Sequence, residues 1–189
     1  MSRQQAVEIL ETDKALTGRQ LWHYHGIHPK LLTGLGRREV TLSPRHGWTD
    51  RPITVQFYGL RQSDLDRLRV TDLRHLAGIA KIRHQLAVPA DNWSVVSHGR
   101  RSRQEQGLRT DTDFLPDAEY VDAAGLIAVE FDASTYTTSR VREKLAAFGT
   151  HYDGVVWGTV SKSRQARLKS KAIDWRARVQ FLDATWWMH

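Results

Sequence analysis

Four residues lying close together in the chain carry the chemistry: Asp117, Glu130, Asp132 and Lys144. Asp117 follows Pro116 at the opening of a turn. Glu130 and Asp132 end the apolar run Leu126–Val129, which has the length of a strand. Ser134, Thr135, Thr137 and Thr138 then offer side-chain oxygens suited to capping a helix. Val141, Leu145, Phe148 and Tyr152 recur at the spacing of one helix face, with Lys144 beside that stripe. The pattern predicts carboxylates at strand ends and a lysine reaching toward them from the next helix. Mg²⁺ takes a few carboxylate oxygens and keeps several waters, so such a set could hold Mg²⁺ or Mn²⁺ against a phosphate. The same residues also admit a structural reading, in which Asp117 caps its turn and Lys144 pairs with Glu130 or Asp132 at the sheet edge.

The whole chain narrows the partner. Its 189 residues suffice for one medium domain or two small ones, and with 40% hydrophobic residues a packed core is expected. A formal net charge of +7 and a pI near 10.0 favour a polyanion. Nucleic acid is preferred to a membrane, because no run approaches the roughly 20 apolar residues of a span. There is no cysteine, which excludes disulfides, thiolate chemistry and cysteine-ligated zinc and fits a cytoplasmic protein. Met1–Gln5 leads into a helical pattern without a signal-peptide core. Seven tryptophans are many for this length; most are expected in the core, and some could stack on bases.

The elements that must position the site follow from periodicity. Residues 4–12, a segment capped by Thr17 and closed by Gly26, and a segment opened by His28-Pro29 read as three short helices. Gly34 and Gly36 cut the third one short. Glu39–Leu42 and Ile53–Tyr58 read as a hairpin around a turn-rich loop. Three helices and a hairpin suggest a winged helix over residues 1–60, with Lys30, Arg37 and Arg38 on the third helix and Arg45 and Arg51 on the wing against DNA phosphates. A helical cap with solvated basic residues is the alternative. His23, His25, His28 and His46 match no zinc spacing.

Residues 61–189 are expected to form a second domain. Arg61–Arg69 reads as a connector helix, and a second helical pattern runs from Leu73 to Val88, with Pro89 bending or ending it. The polar stretch from His98 to Gly107 carries Arg100, Arg101 and Arg103, available to phosphates or simply solvated. Leu108–Phe114, Val155–Val160 and Arg178–Leu182 read as strands. Ser161 caps a basic helix whose Lys162, Arg164, Arg167, Lys169 and Lys171 also suit phosphate. The order of elements implies a mixed sheet, part meander and part crossover, with helices on both sides: an α/β (α+β) fold.

Pro116-Asp117 followed by Glu130-Phe131 on a strand, within this order, resembles the PD-(D/E)XK, or restriction-endonuclease-like, nuclease fold. Asp132 stands where that pattern has its lysine; in some members the next helix supplies it, and Lys144 is placed to do so. The chain over most of residues 5–185 also resembles the replication-relaxation family of plasmid and mobile-element proteins. That likeness rests on the winged-helix pattern, Arg83–Val88, Pro116-Asp117-Ala118, Val129–Asp132, Arg142–Leu145 and Tyr152.

The resemblance implies a DNA-associated role in replication or processing of mobile DNA, with other replication or mobilisation proteins as partners. If the site is active, Asp117 and Glu130 bind Mg²⁺ or Mn²⁺, Lys144 orients the attacking water, and Asp132 is a further ligand or holds Lys144. A homodimer would suit cutting of both strands. The competing expectation is a DNA-binding replication accessory or transcriptional regulator with an inactive nuclease-like domain. His84 could face the acidic site or be a structural histidine, and no nucleophile-elbow signature joins Ser, His and Asp.

Overall fold

The computed structural model describes residues 3–42, 52–96, 115–133, 136–171 and 178–187. The chain divides into two compact units, 1–84 with 185–189, and 85–184. The division thus falls after His84 rather than near residue 60, because the helix that begins at Val70 belongs with the amino-terminal core. Both units combine helices and strands, so the mixed α/β expectation holds.

Unit 1 contains α1 (Arg3–Asp13), β1 (Ala15–Thr17), α2 (Gly18–His25), β2 (Gly36–Leu42), β3 (Ile53–Gly59), α3 (Gln62–Arg67) and α4 (Val70–Gln85). Its antiparallel sheet has the order β1-β3-β2. Thr17 caps α2 through a reciprocal box: its hydroxyl accepts from Gln20 N–H at 3.0 Å, and the Gln20 side chain accepts from Thr17 N–H at 3.1 Å. Gln20 also donates to the carbonyl of Ala77 at 2.8 Å, tying α2 to α4. The core joins Ala6, Leu10, Leu16, Leu21, Ile27 and Tyr58, with Ala80 from α4.

The expected third helix is one 3₁₀ turn, Pro29–Leu32. Strand β2 begins at Gly36, where a Cβ would lie 2.5 Å from the Arg61 backbone, so only glycine permits the approach. Arg37 and Arg38 therefore lie on β2, not on a helix. Half-buried Arg38 donates through Nη1 to the carbonyls of Leu65 and Leu68 at 2.8 and 2.5 Å, closing the end of α3.

Unit 2 is a five-stranded mixed sheet of β4 (Trp93–Val95), β5 (Ala118–Asp122), β6 (Gly125–Asp132), β7 (Gly154–Thr159) and β8 (Arg178–Asp183), in that order. The first two pairings are antiparallel and the last two parallel. The crossover helices α5 (Thr138–His151) and α6 (Lys162–Lys171) link β6 to β7 and β7 to β8. Thr137 and Ser161 cap them through Arg140 N–H and Arg164 N–H. Val141, Leu145, Phe148 and Leu168 pack with Ala128, Trp157 and Phe181, so both helices cover one face, rather than one each. The β5–β6 turn needs Gly125, whose φ is +117°; a Cβ there would meet Asp153 Oδ2 at 2.1 Å. That Asp153 oxygen accepts from Leu126 N–H at 2.8 Å and fixes the start of β6. Strand β4 falls just after Pro89, where a bent helix was one reading. The strand expected over Leu108–Phe114 lies outside the described residues, as do Arg45, Arg51, Arg100, Arg101 and Arg103. Among the described residues no helix is long and apolar enough to cross a membrane.

Candidate active site

Strand pairing brings the acidic residues together. Ala118 stands opposite Val129, and Asp117 N–H donates to the Val129 carbonyl at 3.0 Å, so Asp117 lies beside Glu130. Asp117 Oδ2 also accepts from Phe131 N–H at 2.9 Å, which holds the carboxylate against β6. Alternation along β6 puts Ala128, Glu130 and Asp132 on the face covered by α5 and α6. Lys144, one turn after Val141 on α5, reaches down and forms an ion pair with Glu130 Oε1. The sequence pattern left Lys144 to pair with Glu130 or Asp132, and the contact is with Glu130.

Tyr136 completes the site and was not foreseen. Its hydroxyl donates to the same Glu130 oxygen at 2.9 Å, its ring lies 5.1 Å from the Lys144 ammonium, and it meets Trp157 edge-on. The other Glu130 oxygen, Oε2, is buried with no hydrogen-bond partner. Glu130 is fully enclosed, and Asp117 and Lys144 are 4% and 3% exposed.

Asp132 plays a different part. Its Oδ2 accepts from Arg164 Nε at 2.6 Å and pairs with Nη2 at 2.5 Å, while Arg164 Nη2 also donates to the Tyr136 carbonyl at 2.6 Å. Arg164 is therefore buried in an ion pair and is not a surface phosphate contact. Asp132 neither meets Lys144 nor adds to the Asp117–Glu130 pair; it anchors the segment that carries Tyr136. Lys162, Arg167 and Lys169 stay exposed on α6, and Lys30 and Arg37 are exposed in unit 1.

Burial first, and then the charge of Asp117, push the Glu130 carboxyl up to about 7, although Lys144 and Tyr136 pull it down. Burial and the neighbouring carboxylates likewise raise the Tyr136 hydroxyl, which stays a donor. The linkage has a definite sign. Folded unit 2 retains a proton that the unfolded chain releases above 4.5, so stability is expected to fall as pH rises from about 4.5 to about 7 and to level off beyond. Thermal melts in metal-free buffer across that range check this; Glu130→Gln should remove the slope, and a flat wild-type profile would contradict it.

The donor set suits a hard divalent cation. Two adjacent carboxyl groups, one with an orphaned buried oxygen, converge beside a single lysine, and all the donors are oxygens. Asp117 and Glu130 are the residues that would hold it.

A second cluster lies in unit 1, where Asp13, His25 and His84 bring potential ligand atoms within 4.8 Å of one another. Sequence spacing could not reveal it, because α1, α2 and α4 each supply one member. A guanidinium already engages two of the three members. Arg83 donates to both Asp13 oxygens, at 2.8 and 2.6 Å, and its Nη2 lies 3.2 Å from His84 Nε2. His84 stacks on Tyr24 and thus serves unit 1 as a structural histidine. Burial, then His84 and Arg83, lower His25 to about 4 against the pull of Asp13. A groove of about 340 Å³ lined by Tyr120, Ile127, Val156 and Arg178 opens on the sheet face opposite Glu130. No family model, curated protein or solved structure matches the chain, so the reading of the acidic site rests on its own geometry.

Proposed function

We propose that the protein binds DNA and that unit 2 carries a metal-dependent phosphodiester-hydrolysing site of the PD-(D/E)XK type. The observation that carries this reading is the Lys144–Glu130 contact beside Asp117, with Glu130 Oε2 left without a partner. Asp117 and Glu130 would hold Mg²⁺ or Mn²⁺, which when bound supplies positive charge to the phosphate. Lys144 orients the attacking water and offsets charge that develops on the phosphoryl oxygens. Tyr136 fixes Glu130, and the Asp132–Arg164 pair positions Tyr136. In unit 1, helices followed by a β2–β3 hairpin support a winged-helix-like DNA-binding role. The setting would be replication or processing of plasmid or mobile-element DNA, as the family likeness implies, with a homodimer where both strands are cut.

A second reading has its own support. The site is almost wholly enclosed and its lysine already neutralises one carboxylate, as expected of an inactive nuclease-like domain in a DNA-binding accessory or regulator. A cleavage assay on supercoiled and linear DNA with Mg²⁺ or Mn²⁺ separates the two. Metal-dependent nicking that Asp117→Ala and Glu130→Ala each abolish, with DNA binding intact, is the expected result. Binding without nicking under either metal would remove catalysis from the proposal.

A further inference from the structure

From Lys14 to Arg38 the chain contains five Lys or Arg residues, three histidines and no Asp or Glu. Lys14, Arg19, His23, His28, Lys30 and Arg37 in that stretch are all exposed. Trp22 stands among them. Trp93, Trp157 and Trp186 are buried and Trp187 is half-buried, but Trp22 is 57% exposed. Its indole is not loose: the His28 ring braces it edge-on, 5.8 Å away at 83°. His28 is in turn fixed, since its Nδ1 accepts from Lys30 N–H at 3.2 Å. Arg19 lies three residues before Trp22 on α2, hence on the same helical face. Leu31, 43% exposed, adds apolar area next to Lys30.

A braced, exposed indole within a basic stretch of chain that carries no acidic residue matches a base with a free face and a phosphate beside it. Bases in a duplex are stacked and offer no face to an aromatic ring, whereas unpaired bases do. The element in which a duplex-reading winged helix presents its long recognition helix is here the four-residue 3₁₀ turn Pro29–Leu32, too short to lie along a major groove. We infer that the Trp22–His28 surface, with Arg19 and Lys30, binds an unpaired DNA strand by stacking a base on the indole. The inference rests on the nucleic-acid part of the proposed function and not on cleavage.

The test measures anisotropy of a labelled oligothymidine and of a labelled duplex of equal length, with the full chain in EDTA, so that no cutting intervenes. The wild type should prefer the single strand. Trp22→Ala should weaken single-strand binding about 5- to 150-fold, the span of one lost base stack, and leave duplex binding nearly unchanged. Trp22→Phe should restore part of the loss, and matched circular dichroism melts should show that both variants are folded. Equal loss on both probes, no loss on either, or a wild-type preference for duplex would overturn the stacking role. So would a Trp22→Ala chain that changes from dimer to monomer with DNA affinity intact, which would assign the face to a second copy. A wild type that binds neither probe would end the DNA reading itself, whereas one that binds but never cuts would leave this surface in place.

Discussion

Replacing Lys144 with methionine is expected to lower the proposed metal-dependent cleavage by about 10²- to 10³-fold, the usual cost of removing one charge-stabilising group from a preorganised site. Methionine keeps an unbranched apolar stem as far as Cε, with sulfur in place of one methylene, and removes the ammonium that lies 5.1 and 5.7 Å from the Tyr136 and Phe148 rings. The same change should leave Mn²⁺ affinity unaltered or raise it, because the ammonium competes with a dication for Glu130 Oε1. A merely structural lysine predicts the reverse, a lost fold and lost metal binding together. Calorimetric Mn²⁺ titration beside the cleavage rate tells them apart, and a Lys144→Met protein that cuts at the wild-type rate would remove Lys144 from the site.

The largest effect on stability is expected at the Asp13–Arg83 pair. Asp13 is 1% exposed and Arg83 6%, and two hydrogen bonds join them side by side. Removing Asp13 takes both of these hydrogen bonds from a buried guanidinium, and breaking a buried pair typically costs about 3–5 kcal/mol. Asp13→Ala should therefore destabilise unit 1 by that amount in urea titration, whereas replacing both residues by apolar ones should recover much of it. A loss below about 1 kcal/mol would mean that the pair contributes no more than an exposed one. Burial alone would raise the Asp13 carboxyl, but hydrogen bonds from His84 and Arg83 outweigh it and hold the group below its ordinary 3.8. Its contribution is thus present above that value and is lost as pH falls through the lower folded one. The acid-side loss belongs to unit 1, and the decline between about 4.5 and 7 to Glu130 in unit 2.

Much of the local structure was legible because its causes are local. The Thr17 cap, the Gly26 stop, the turn before Gly125, the Val141–Leu145–Phe148 stripe and the buried strand Gly154–Thr159 each follow from neighbours a few residues apart. The β1 strand was missed because three residues carry no period, and β4 because Trp93–Val95 follows a proline and a 3₁₀ turn. The third helix was overestimated because His28-Pro29 opens a helix well, while the close approach of Arg61 to Gly36, distant in sequence, ends it.

At the candidate site, composition and pattern alone determined which residues are eligible: an aspartate at a turn, an acidic strand end and a lysine one helix later. They also determined the basic character that favours a polyanionic partner. Only the tertiary structure decided which eligible charges meet. Asp132 and Lys144 both approach the acidic strand end, yet register and helix docking hand Asp132 to Arg164 and Lys144 to Glu130. Arg164, a basic residue like its exposed neighbours, is withdrawn from the surface by a partner 32 residues away, and Arg38 is held half-buried by a carbonyl 27 residues away. Residue type sets what a side chain can bind, but pairing depends on distances of a few ångströms across elements, and no local pattern encodes those.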